Sequence, residues 1–196
     1  MFPASPFWDF SLRLYARPGV ADSCLALQER HGIDVNLLFC CLWLGIEGQQ
    51  LAKRDISRLA ARVRTLHENV VKPLRQARTV LKGLLASEDE SLRPVLGTLR
   101  TAIKKSELDA EHLEQVILGG LRSRNGATAG SSDLAQANAQ AYLALTAGRL
   151  GAADEVDLAR IVAALSSSGK AKVNAAGQPK LDRTRPLARR GEGRTI

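Results

Sequence analysis

Aromatic side chains are scarce in this 196-residue chain, at 4% of positions, and Phe2, Phe7, Trp8 and Phe10 crowd half of them into the first ten residues. β-Branched residues are also few, while Ala, Leu, Arg and Gln dominate. That balance argues against strands and for an all-α fold. Cysteine numbers only three, Cys24, Cys40 and Cys41, and two of these are adjacent. An odd count with a vicinal pair makes a poor disulfide framework, and the thiols fall on apolar helical faces as buried structural groups. No Walker loop, Gly-x-Ser-x-Gly elbow or dinucleotide fingerprint occurs. The aspartate-rich paired helices of a magnesium-diphosphate enzyme are missing too. The three histidines, His31, His67 and His112, have no His or Cys at ligand spacing, whereas zinc needs three or four convergent ligands. Neither a catalytic residue nor a metal or cofactor site is expected from these patterns.

What is present is ordinary for a folded chain. Apolar residues make up 45% of the sequence, enough to exclude disorder along its whole length. The longest apolar run, 35–44, is too short for a bilayer, which takes about 20 residues, so it reads as a buried core helix and no membrane span is expected. The N-terminus has no basic leader, and Pro3, Pro6 and Asp9 interrupt its apolar residues. A cytoplasmic, reduced protein is therefore expected.

Helix signals divide the chain. Ser5 as N-cap and Pro6 at the first helical position predict a helix over 5–16. Pro18 opens a second over 19–30, which Gly32 closes in the left-handed conformation. Asp34 caps a third, 35–47, apolar nearly all round and so the centre of a bundle. The fourth is the most regular: Ile56, Leu59, Val63, Leu66, Val70, Pro73 or Leu74, Ala77, Val80 or Leu81 and Leu84 recur at three- and four-residue steps, a seam of roughly 45 Å. Pro73 lies inside it and predicts a kink or two consecutive helices. Two amphipathic helices are expected over 88–105 and 107–123, the second capped by Ser106, and two more over 133–150 and 154–165. The organisation expected is a small bundle at 1–86, a helical extension at 87–123, a linker at 124–132, a short helical pair at 133–167 and a disordered basic tail at 168–196.

The wording of the first third is distinctive: Trp8-x-Phe10-Ser11, Tyr15, Pro18-Gly19-Val20, Cys24-Leu25-x-Leu27-Gln28, Gly32, then Asp34-Val35-Asn36-Leu37-Leu38 through Trp43-Leu44. It resembles a family of proteobacterial conserved hypothetical proteins carrying a domain of unknown function, and Val70-Val71-Lys72-Pro73-Leu74-Arg75 resembles a later block of that family. The likeness covers about the first 85 residues. It implies a small helical domain and no assigned activity.

Charge is uneven within the net +8. Residues 1–52 carry −2, residues 53–82 carry +7, residues 83–169 carry −3 and residues 170–196 carry +6. Arg54, Arg58 and Arg62 follow one line along the fourth helix, and Arg75, Arg78 and Lys82 another. Either line could meet phosphates of RNA or DNA, or pair with the acids at 88–90 and 107–114. Asp34 and Asn36 are the sharpest polar pair. They read first as a cap plus a buried amide that fixes packing, and second as a ligand-binding pair with Tyr15 and Trp43. The leading functional expectation is a non-enzymatic interaction or adaptor module with a protein partner. An RNA- or DNA-associated factor is the alternative, and a small-molecule binder or enzyme centred on Asp34, Asn36 and Trp43 carries the least weight.

Overall fold

The computed structural model describes residues 3–121 and 129–166. Most of the expected linker and the whole 168–196 tail lie outside the described residues. Those described form helices and no strand. In chain order they are α1 (Pro6–Tyr15), α2 (Val20–His31), α3 (Val35–Ile46), α4 (Lys53–Leu66), a π-helical turn (His67–Val71), α5 (Lys72–Ser87), a 3-10 turn (Glu90–Leu92), α6 (Arg93–Gly119), α7 (Ser132–Ala147) and α8 (Ala152–Ala163).

The N-terminal punctuation acts as the residue types require. Ser5 Oγ accepts from the Trp8 amide at 3.3 Å, and Pro6 opens α1. Gly19 and Gly32 bracket α2 at φ +77° and +64°, a region that costs a side-chain-bearing residue dearly. Asp34 caps α3, its Oδ1 accepting from Asn36 N at 2.8 Å and Leu37 N at 3.4 Å. Every residue from Val35 to Gly45 is buried, so α3 is sheathed on all sides. Its main neighbour is α7, from the far end of the sequence. Gly45, Ala135 and Ala139 allow close backbone approach, and an added Cβ at Gly45 would lie 2.3 Å from Ala135 Cα. Asn138 on α7 completes the junction: Nδ2 donates to the carbonyls of Cys41 (3.2 Å) and Gln49 (2.8 Å), and Oδ1 accepts from Leu51 N (2.9 Å).

One apolar cluster joins Phe7, Leu27, Leu38 and Leu42 to Leu118, Leu143, Leu158 and Ile161. Residues 133–166 thus pack on the N-terminal helices. Arg30 ties α2 to α8, with Nε 2.8 Å from Asp154 Oδ1 and Nη2 2.6 Å from Asp157 Oδ2.

One element differs from expectation, and the long fourth helix holds with a shift in its seam. The helices expected over 88–105 and 107–123 are one, α6, and Ser106 lies mid-helix with Oγ donating to Ala102 O at 3.2 Å. Ser followed by Glu mimics a start signal, but continuous burial of the downstream face keeps the helix running. The fourth helix is a continuous run from 53 to 87 whose interruption precedes Pro73: Lys72 N donates to His67 O, five residues back. This wider turn seats the Pro73 ring, which would otherwise strike the carbonyl four residues earlier. It also inserts one residue into the seam. Ile56, Leu59 and Val63 are buried as expected, but then His67 and Val71 turn inward; Val71 is 0% exposed and Val70 is 40% exposed.

Candidate functional site

His67 follows Val63 by four residues on the buried face of α4 and lies against the start of α3 and the second half of α6. His67 Nδ1 lies 3.1 Å from Glu114 Oε1 and 3.3 Å from Asp34 Oδ2. Asn36 Nδ2 donates to Glu114 Oε2 at 2.6 Å, and Gln115 Nε2 donates to Asn36 Oδ1 at 2.7 Å. From α7, Tyr142 Oη accepts from Asp34 N at 2.8 Å and donates to Asp34 O at 3.2 Å. All six residues are buried, and Glu114 is 0% exposed. Three helices and the π turn therefore converge on a polar centre inside an apolar bundle.

Its electrostatics follow from burial. Asp34 is pushed up to about 7 because burial opposes its charge and Glu114 repels it, with His67 and the Asn36 amide acting the other way. Burial pulls His67 down, but its hydrogen bond to Glu114 and the two carboxylate charges outweigh that and raise it. Cys40 and Cys41 lie fully buried beside this centre. Desolvation holds both thiols up, Cys41 to about 12, so neither is a ready thiolate.

Toward the tip of α5 the polar seam continues as ion pairs. Arg75 Nη2 donates to Glu111 Oε1 at 2.8 Å and its Nε to Glu107 Oε1 at 3.2 Å, while Arg78 Nε donates to Glu107 Oε2. Burial pushes Glu107 up, yet the Arg78 and Arg75 bonds and charges bring it below the ordinary carboxylate range. Two of the six expected phosphate-contacting cations are thus engaged with α6. Arg75, Arg78 and Lys82 share a cleft of about 390 Å³ with Lys72 and Gln28. Arg54, Arg58 and Arg62 remain exposed along α4, apart from that cleft, with Arg54 Nε 3.8 Å from Asp55.

The expected Asp34 and Asn36 pair does come together, but without Trp43, which stacks on Phe7 at 5.2 Å. Tyr15 borders a crevice of about 20 Å³ with Trp8, Ser11, Asn36, Glu111 and Gln115. Sequence reading missed His67 and Glu114. Glu114 had a readable signal: Glu107, Glu111 and Glu114 recur at helical spacing on the same buried face as Ala110 and Leu118. The other two histidines have separate partners, His31 Nε2 lying 2.9 Å from Asp154 Oδ1 and His112 stacking on Trp8 at 3.9 Å.

A second feature lies on the surface. Beyond Pro73, α5 and the first half of α6 form a hairpin whose outer face carries Val80 (55% exposed), Val95 (68%) and Leu99 (48%). Between the two helices runs an apolar groove of about 470 Å³, lined by Pro73, Ala77, Val80, Leu81, Leu99 and Ile103. No helix among the described residues is long and apolar enough to cross a membrane.

These features define an all-α bundle with a buried polar centre and an exposed apolar hairpin. The chain belongs to the protein family of unknown function DUF2390, whose profile matches residues 6–118. That match runs past the first 85 residues to the end of α6, taking in Glu107, Glu114 and Leu118, which complete the centre and the core. No curated protein and no solved structure matches the chain.

Proposed function

We propose that this chain is a non-enzymatic, cytoplasmic protein-interaction module that pairs with a second copy of itself through the α5–α6 hairpin. The observation that carries this reading is the exposed row Val80, Val95 and Leu99 bordering the apolar groove. Large apolar residues exposed side by side mark contact surfaces, because leaving them in water forfeits burial energy. Charge favours a second copy as the occupant. The hairpin tip carries Glu88, Asp89 and Glu90, with Glu90 3.7 Å from Arg93, and the α6 segment at its base carries Lys104 and Lys105, with Lys105 2.8 Å from Asp109. A two-fold antiparallel pairing sets each tip over the other copy's base, with the apolar groove between them, and aligns roughly 15–20 Å of helix. The three free, buried thiols support a reducing compartment.

The test is the mass of the full chain in solution at about 100 μM, by light scattering on a sizing column. A dimer is expected for the native sequence and a monomer for Leu99→Lys and Val95→Glu, whose exposed positions leave the fold alone. A monomeric native chain overturns self-pairing. The competing RNA or DNA reading retains exposed Arg54, Arg58, Arg62 and Lys82. It requires binding to generic duplex or RNA near 50 mM salt that weakens steeply as salt rises.

A further inference from the structure

His67 Nδ1 carries one proton at most, yet carboxylates from two other elements converge on it, at 3.1 and 3.3 Å. A single N–H serves one acceptor well. Asp34 Oδ2, on a residue 7% exposed, is accordingly left without a hydrogen-bond partner. The surrounding donors are already committed: Asn36 Nδ2 to Glu114 Oε2, the Asn36 and Leu37 amides to Asp34 Oδ1, and Tyr142 Oη to the Asp34 backbone. The nearby guanidinium of Arg75 is bonded to Glu107 and Glu111. A buried carboxylate oxygen left unpaired beside a second carboxylate and an imidazole is a place for a cation.

We infer that Asp34, His67 and Glu114 form a binding site for one divalent first-row transition-metal ion. One ligand atom from each lies within 4.8 Å of the others. Around an ion bonded at about 2.0–2.2 Å, neighbouring ligand atoms stand roughly 2.8–3.6 Å apart from octahedral to tetrahedral geometry, a range that holds the two distances to His67 Nδ1. One imidazole and two carboxylates are a mixed nitrogen–oxygen set of the kind zinc, manganese and iron(II) accept. The outer ring is already built: Asn36 orients Glu114, Gln115 orients Asn36, and the cap bonds orient Asp34. The small crevice at Asn36 and Gln115 borders the same centre. The inference is independent of the hairpin surface.

The experiment uses the full chain, freed of metal by chelator and dialysis. Co²⁺ is titrated in and followed by visible absorption, and Zn²⁺ is followed by calorimetry and thermal unfolding. One equivalent per chain is expected, with Co²⁺ d–d bands, no thiolate charge-transfer band and a rise of several degrees in Tm with excess Zn²⁺. Asp34→Asn keeps a good N-cap and should weaken Co²⁺ at least tenfold, as should Glu114→Gln, while His31→Gln and His112→Gln leave affinity unchanged. Absence of d–d bands and of any Tm shift in the native chain overturns the inference. So does a thiolate band, or affinity unaltered by Asp34→Asn and Glu114→Gln.

Discussion

Replacing Gly45 by alanine tests whether the α3–α7 contact is as close as the fold requires. The new Cβ would lie 2.3 Å from Ala135 Cα and 2.4 Å from Ala135 N, and both are backbone atoms that no rotamer change can move. Ordinary carbon contacts stand at about 3.5–4.0 Å, so the helices would have to part by more than about 1 Å. Overpacking of this kind costs typically 1–3 kcal/mol. Separation would also stretch the Asn138 bonds to Cys41 and Gln49, each worth about 1 kcal/mol. Against this stands the gain of about 1 kcal/mol from alanine's higher helix propensity. The balance is a loss of about 3 kcal/mol. With a urea dependence of roughly 2 kcal/mol per molar, the unfolding midpoint should fall by about 1.5 M. Gly97→Ala in α6 is the matched control: nothing lies within 4 Å of its added Cβ, so propensity alone acts and stability should rise by about 0.5–1 kcal/mol. If Gly45→Ala unfolds at or above the native midpoint while Gly97→Ala behaves as stated, the packing argument is wrong.

Tyr142→Phe removes the hydroxyl that accepts from the Asp34 amide and leaves that buried donor unpaired, so a loss of about 1–3 kcal/mol is expected in urea unfolding with near-UV circular dichroism otherwise preserved. The α2–α8 tie should be acid-labile. Burial raises Asp154, but the Gly151 amide, His31 and Arg30 bring it from 3.8 to about 2, so its contribution is whole above about pH 4 and disappears as pH falls toward 2. Screening around the half-buried Arg30 leaves that contribution at about 1 kcal/mol, and Asp154→Asn should lower stability by that amount at pH 7 and by nothing near pH 2.

What the chain announces locally, it announces well. Ser5, Pro6, Gly32 and Asp34 act within a few residues of themselves, and each stands where its chemistry implies. α3 reads as the centre because an all-round apolar helix has no other stable place. The polar centre is less legible, since Asp34, His67 and Glu114 come from three separate stretches and no spacing rule joins them. A π turn has no residue signature of its own, and the regular three- and four-residue seam through Leu66 and Val70 conceals it. Only the burial of His67 and Val71 reveals the slip. α6 is misread for the opposite reason: Ser106 and Glu107 supply a convincing local start, and tertiary burial overrides it.

The sheathing of α3 has a consequence during synthesis. Its neighbours α1 and α2 leave the ribosome first, but the helix that covers it most extensively, α7, is encoded about a hundred residues later and outside the stretch shared with the family. At about 5–20 residues per second, an apolar segment such as Leu37–Leu44 waits roughly 5–20 s for its permanent cover. During that interval the nascent chain presents an adhesive surface to whatever is near. Final folding must then be gated by the arrival of residues 132–147, which makes translation past α7 the committing event rather than the collapse of the first helices.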